Sequence, residues 1–253
     1  VSSGRLRFVL EAIVGRHDAL RTCVDLDGWP PAQRVGPMPA LCIEAFPAAD
    51  GEALHAAQDD LADRLMDSLD LPGGRIIAAG VIPLADRQGA HIVVAVHHAV
   101  FDIVSWSVFA DELESGLLHE NAAMPPASTS WSWWAQASSR RVDAVLDRLP
   151  YWTDTARQAA QAAALPVDHA DRANREGDVC ERRLSLAYGG GDFLAGMATV
   201  FGLRPHEAIL AAVGAALAEW AGAPVAVELE GHGRQAFSAD IDLSRTMGWF
   251  TTR

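Results

Sequence analysis

The run Ile92-Val93-Val94-Ala95-Val96 constrains the fold of this chain more than any other feature, because it ends on His97-His98. An uninterrupted apolar run rich in β-branched side chains reads as a buried strand. Two imidazoles at the end of such a strand cost free energy unless something there uses them. Side chains alternate along a strand, so one ring of the pair is expected to face a cavity while its neighbour points into the fold. A cavity-facing imidazole titrates near neutrality, and no residue local in sequence quenches it. A proton-transfer site is therefore the leading expectation.

A buried strand needs covering elements, and the patterning supplies them. Leu6, Val9, Leu10, Ile13 and Val14 recur at helical spacing and predict a helix over 4–17. Arg21 to Leu26 reads as a strand turned at Asp27-Gly28 toward a second through Gln33 and Val35, with Cys42 to Phe46 a third. A helix is predicted over 52–69 with Leu54, Leu61 and Leu65 inward. Arg75 to Leu84 pairs with the run ending at the histidines, around the turn Asp86 to Gly89. Ser105 to Leu118 follows as a helix with Val108, Phe109, Leu113 and Leu117 on one stripe. Past a loop over 121–130, helices are expected from Trp131, over 141–163, from Asp192 and over 206–220. Strands are expected over 179–187 and, buried, over 225–229. The cluster Trp131, Trp133 and Trp134 is most simply packing. The extended polar stretch 165–177 is the best linker, so the chain reads as two α+β lobes joined near residue 170.

Composition narrows the function. The 253 residues can bury one large core or two modest ones. A formal net charge of −13 makes a nucleic-acid partner unfavourable. No run approaches the roughly 18–20 apolar residues that a bilayer span needs, so no membrane role is expected. Cys23, Cys42 and Cys180 are few and far apart, which fits reduced structural thiols in a cytoplasmic protein and no metal site. Val1 to Arg5 carries neither a start methionine nor a signal-peptide pattern, as expected of a chain that begins inside a longer polypeptide.

Two further clusters accompany the histidines. Glu228-Leu229-Glu230-Gly231-His232-Gly233-Arg234-Gln235 places carboxylate, imidazole and guanidinium at a strand mouth, with glycines that permit positive φ and close approach. Asp242 to Thr252 contains Arg245-Thr246-Met247-Gly248-Trp249-Phe250-Thr251. His97 to Asp102 resembles the His-His-x-x-x-Asp-Gly signature of the condensation superfamily of non-ribosomal peptide synthetases, and Arg16-His17-Asp18-Ala19-Leu20-Arg21 resembles a motif upstream of it. Within that superfamily the chain is similar to the epimerization domains. Val104-Ser105-Trp106 follows the histidines, Glu230 to Arg234 matches Glu-Gly-His-Gly-Arg-Glu except for Gln235, and Arg245 to Thr251 matches Arg-Thr-Val-Gly-Trp-Phe-Thr with one change. Ala208 to Gly214 resembles the helix motif expected between them. Position 103 departs from the family, with Ile103 where it has glycine.

The resemblance implies an α+β, chloramphenicol-acetyltransferase-like two-lobe fold. Its N-terminal lobe would be residues 1–170, and residues 171–253 the first part of an incomplete C-terminal lobe. It implies epimerization, L to D at Cα, of an aminoacyl or peptidyl thioester. His98 would be the base and Glu230 the acid or base on the opposite face. His97 would hold the loop, Asp102 would pair with Arg234, and His232 would scaffold its loop or touch the substrate arm. Ile103, Trp106 and Trp249 would line the substrate channel. No directly bound cofactor is implied. The 4'-phosphopantetheine arm would come from a peptidyl carrier protein domain, with neighbouring synthetase modules as the other partners. Two alternatives stand beside this: a peptide-bond-forming condensation domain, and a catalytically degenerate condensation-like domain serving as a docking platform.

Overall fold

The computed structural model describes residues 1–86, 88–119, 128–141, 145–168, 173, 175–185 and 190–252. These group into two compact units, Val1–Val142 with Glu230–Arg253, and Asp143–Leu229. The first unit draws on both expected lobes, 1–170 and 171–253, because the Glu230–Arg253 segment packs with the N-terminal residues.

The first unit is built on a three-stranded sheet of order β3-β4-β5, with β3 (Cys42–Ala45), β4 (Ile77–Pro83) and β5 (Ala90–Val96). β4 runs parallel to β3 and antiparallel to β5, whose register pairs Ile77 with Val96 and Pro83 with Ala90. The central strand, β4, is the deeply buried one, whereas β5 lies at the edge and is only half-buried along its length. The apolar run before the histidines thus marks a strand covered on both faces but open on one side. Alternation explains the absence of polar positions. Ala90, Ile92, Val94 and Val96 join one core while Val93 and Ala95 join another on the opposite face.

Helices cover each face. α1 (Ser3–Arg16) and α3 (Ile103–Leu118) bury Leu6, Val9, Leu10, Ile13, Val14, Val108 and Phe109 with Ile77, Ala79 and Val81. α2 (Gly51–Asp67) buries Leu61 and Leu65 with Ala78 and Ile82. Each of these Leu, Ile, Val and Phe side chains contributes about 1.5–3 kcal/mol by leaving water. α2 sits close because Gly80 has no side chain, and a Cβ there would collide with Leu61. α1 begins with the Ser2 hydroxyl accepting from Arg5 N–H at 3.2 Å, which satisfies a helix-start donor. β1 (Thr22–Asp25) and β2 (Ala32–Val35) form the expected antiparallel pair. A smaller core joins Ile241, Leu243 and Phe250 to Trp131 and Trp134 of α4 (Trp131–Ser139).

The second unit holds α5 (Leu149–Ala160), α6 (Gly190–Phe201) and α7 (Pro205–Ala221). The single helix expected over 141–163 is broken by turns at 147–148. Pro150 explains the break, since proline lacks an N–H and is accepted in the first turn of a new helix rather than inside one. α7 also starts on a proline, with Arg204 N–H donating to Glu207 Oε2 at 2.8 Å, and it ends at Gly222 with φ +70°. The expected strands are corrected here. Val179 to Ser185 and Val225 to Leu229 form no strand among the described residues, and Leu184 is 92 % exposed. Residues 186–187, like 120–127 of the expected loop, lie outside the described residues. A strand is a pairing, and the backbone bond recorded beside the second segment runs to it from a loop, Ala163 N–H to Pro224 O at 2.9 Å. Among the described residues no helix is long and apolar enough to cross a membrane.

Candidate active site

The histidines sit where β5 ends. His97 N–H donates to Ile76 O at 2.9 Å, continuing the ladder by one residue. His97 Nδ1 then accepts from Ala99 N–H at 3.2 Å and starts a single 3₁₀ turn over His98–Val100. His98 Nδ1 lies 2.8 Å from the Phe101 carbonyl oxygen. A carbonyl only accepts, so Nδ1 carries the proton and the lone pair belongs to Nε2, the form a general base needs. The Trp249 indole meets the imidazole edge-on, with centroids 4.8 Å apart and planes at 76°. His98, Ala99 and Trp249 line an open surface pocket of about 350 Å³. His98 is therefore exposed in a shallow pocket rather than enclosed in a cavity.

Four residues further on lies a buried polar centre. Asp102 caps α3, its Oδ1 accepting from Ser105 N–H at 2.8 Å and from the Ser105 hydroxyl at 2.7 Å. Arg234 Nη2 donates to the same oxygen at 2.7 Å and to Ser105 Oγ at 2.9 Å. Phe250 N–H donates to Asp102 Oδ2 at 3.3 Å. Ser105 Oγ also accepts from Gly248 N–H and lies against Gly248 O, each at 3.0 Å. Arg234 further reaches Thr246 O and lies over the Phe250 ring at 4.1 Å. Burial pushes the Asp102 carboxyl up, but hydrogen bonds from Arg234 and Ser105 and the Arg234 charge hold it below its ordinary value. The pair is thus a charged joint between the histidine loop and the Thr246–Phe250 segment.

That segment also organises the second cluster. Gly231 and Thr252 exchange backbone hydrogen bonds at 2.9 and 3.0 Å, so Glu230 leads directly into a bridge three residues from Trp249. His98 meets Trp249, and Gly231, the residue after Glu230, pairs with Thr252 three residues further on. Gly233 has φ +61° beneath the Phe250 carbonyl, where any Cβ would collide, so the glycine is required on both counts. His232 Nδ1 accepts from Arg234 N–H at 3.0 Å and shapes this turn. Of the three residues expected along a channel, Trp249 lines the pocket. Ile103, the first residue of α3, is 77 % exposed, and Trp106 packs edge-on against Phe101 and Phe109.

Sequence reasoning gave no role to several residues that shape this region. Ser105 was visible only as a motif position. The Asp-x-x-Ser spacing, a helix-cap signature, was the readable signal. Sequence pattern reads Trp131 as packing, yet its indole N–H donates to Trp249 O at 3.1 Å. The pattern assigns His17 no function beyond its place in a motif. Its Nε2 lies 2.8 Å from fully buried Glu112, with Arg16 and Arg245 at 3.7 and 3.3 Å from the other carboxylate oxygen. Burial pushes the Glu112 carboxyl up, but the His17 hydrogen bond and the His17, Arg16 and Arg245 charges hold it below its ordinary value. This second buried centre joins the end of α1 to α3.

Comparison with known proteins places the whole arrangement. The sequence model of one protein family, described as Condensation domain, matches residues 1–253. Surfactin synthase subunit 2 of Bacillus subtilis (strain 168) is 29 % identical over 98 % of the chain. Chondramide synthase cmdD of Chondromyces crocatus is 30 % identical over 100 % of it. The chain spans 7 % of the length of each. Among solved structures, the epimerization domain from the third module of tyrocidine synthetase B superimposes with a TM-score of 0.86 at 26 % identity. That match covers 100 % of this chain and 59 % of the other.

Proposed function

The chain belongs to the condensation-domain family, and from that premise we propose that it epimerizes an aminoacyl or peptidyl thioester in non-ribosomal peptide synthesis. The observation that carries this reading is the Trp249–His98 contact. It sets the Arg245 to Thr251 segment, which resembles epimerization domains specifically, directly on the candidate base. The likeness to a tyrocidine synthetase epimerization domain supports it.

In this reading His98 Nε2 removes the Cα proton, and Glu230 serves the opposite face. A Cα–H beside a thioester is a far weaker acid than any side chain, so the developing enolate oxygen needs a partner. The N–H groups of residues 99–102 are already given to His97 Nδ1, His97 O, His98 O and Gly248 O. The imidazolium formed by the transfer is a donor beside the pocket. Asp102 and Arg234 hold the histidine loop, His97 sets its turn, and His232 sets the turn that carries Arg234. The open pocket admits a thioester on a 4'-phosphopantetheine arm, which belongs to the substrate and is brought by a peptidyl carrier protein domain. Neighbouring synthetase modules and a cytoplasmic setting complete the proposal.

The test is deuterium incorporation at Cα when the chain is given a loaded carrier protein in heavy water, followed by chiral analysis of the released acid. The expected result is Cα deuteration with D product, and His98→Ala lowers the exchange rate by about 10²–10⁴-fold. Exchange that persists at the same rate in His98→Ala overturns the assignment. The family match itself favours a second reading, condensation of two carrier-bound acyl groups, and amide product from two loaded carriers would select it. Carrier binding without exchange or amide would select a docking platform.

A further inference from the structure

Hydrogen bonds along the Gly248–Phe250 backbone fix the orientation of the Trp249 peptide. Ser105 takes the Gly248 N–H, Asp102 takes the Phe250 N–H, and the Trp249 carbonyl accepts from the Trp131 indole N–H. Trp131 does more than donate. Its five-membered ring occupies the space that a side chain on residue 248 would need. The ring is fixed in turn by Asp18, whose two carboxylate oxygens accept from Trp131 N–H at 3.1 Å and Ser132 N–H at 3.0 Å, the first amides of α4.

We propose that Trp131 is a positioning residue for His98. It holds the Trp249 carbonyl, while Ser105 holds Gly248, and so sets the indole that stands against the imidazole. A physical line then runs from Asp18 in the Arg16 to Arg21 motif, through the start of α4, to Trp131, Trp249 and His98. Trp131 carries no proton and touches no substrate. Its effect is on the population of His98 rings held against Trp249. The inference rests on the reading of His98 as the base, but the placement is measurable without substrate.

A protonated imidazole in contact with an indole quenches its emission. The emission of Trp249, taken as the difference between the full chain and its Trp249→Phe variant, is expected to fall as His98 protonates, and His98→Gln removes the step. Trp131→Phe removes both the N–H and the five-membered ring that fills the space beside Gly248. It is expected to reduce the amplitude of this step by at least about two- to tenfold, the weight of the lost hydrogen bond alone. Asp18→Asn, which leaves the Trp131 ring in place and so serves as the test should Trp131→Phe prevent folding, is expected to reduce it by about twofold. Trp133→Phe, on the same helix at a half-exposed position, is expected to leave it unchanged. An unchanged step in both Trp131→Phe and Asp18→Asn, or an equal loss in Trp133→Phe, overturns the proposal. Failure of the epimerase reading shows differently, as absent Cα deuteration in the unaltered chain with the quenching step intact.

Discussion

The first unit closes two apolar layers around its sheet, whereas Ala208 is the one buried apolar residue among the described residues of the second. Yet the second is no less apolar in sequence. α7 carries Ile209, Val213 and Trp220 and leaves all three exposed. Periodicity and caps specify a helix locally, but burial needs an opposed face, and that is a property of the tertiary set. The same contrast holds for charges. The first unit encloses Asp102 and Glu112 with arginines, while the ion pairs of the second, such as Arg157–Asp154 and Arg204–Glu207, lie at its surface. Burial makes the former costly to break and the latter nearly neutral.

Substitutions can break or sharpen this difference. Asp102→Ala strands the Arg234 guanidinium and is expected to cost the first unit about 3–5 kcal/mol, measured by urea unfolding with amide exchange resolved along the chain. Equal loss of protection in α5 and α7 would erase the contrast. Leu61→Ala opens a cavity above Gly80 and is expected to cost about 2–5 kcal/mol by the same measurement. Acid acts on both buried carboxylates. Their folded pKa values lie below the ordinary ones, so their contribution is complete above about pH 4–5 and drains away as pH falls through the folded values. A Tm series from pH 6 to pH 2 is expected to show the first unit weakening below about pH 4, and Glu112→Gln to flatten the curve. Smallest of all, Val227→Ser is expected to change stability by no more than about 0.5 kcal/mol, because that side chain is already exposed. A larger loss would mean that the 225–229 segment is covered.

Elements whose pattern is self-contained were legible in the sequence. α1, α2, β4, β5 and α7 fall within a few residues of their predicted bounds because spacing, caps and turns act over one or two turns of chain. Strand β5 was legible as a strand but not as an edge, since its depth depends on which neighbour takes its outer side. The segments 179–187 and 225–229 carry strand-forming side chains, and propensity cannot supply a partner. At the site, His97, His98, Asp102 and Arg234 stood out by motif, whereas Trp131, Asp18 and Glu112 act through contacts more than ninety residues away in sequence. A glycine at 248 offered one hint that something bulky must press on that backbone.

A hydrogen bond from His98 Nδ1 to the Phe101 carbonyl has a stereochemical consequence. The ring cannot rotate by half a turn to offer its other nitrogen without abandoning that carbonyl, so in the proposed role hydrogen would arrive at and depart from a single point on it. A stereocentre visited by such a reagent alone regains its hydrogen on the side that lost it, and isotope washes in with retention of handedness. Inversion then demands a second, independently recharged donor, and label from solvent should enrich the inverted product over the returned one.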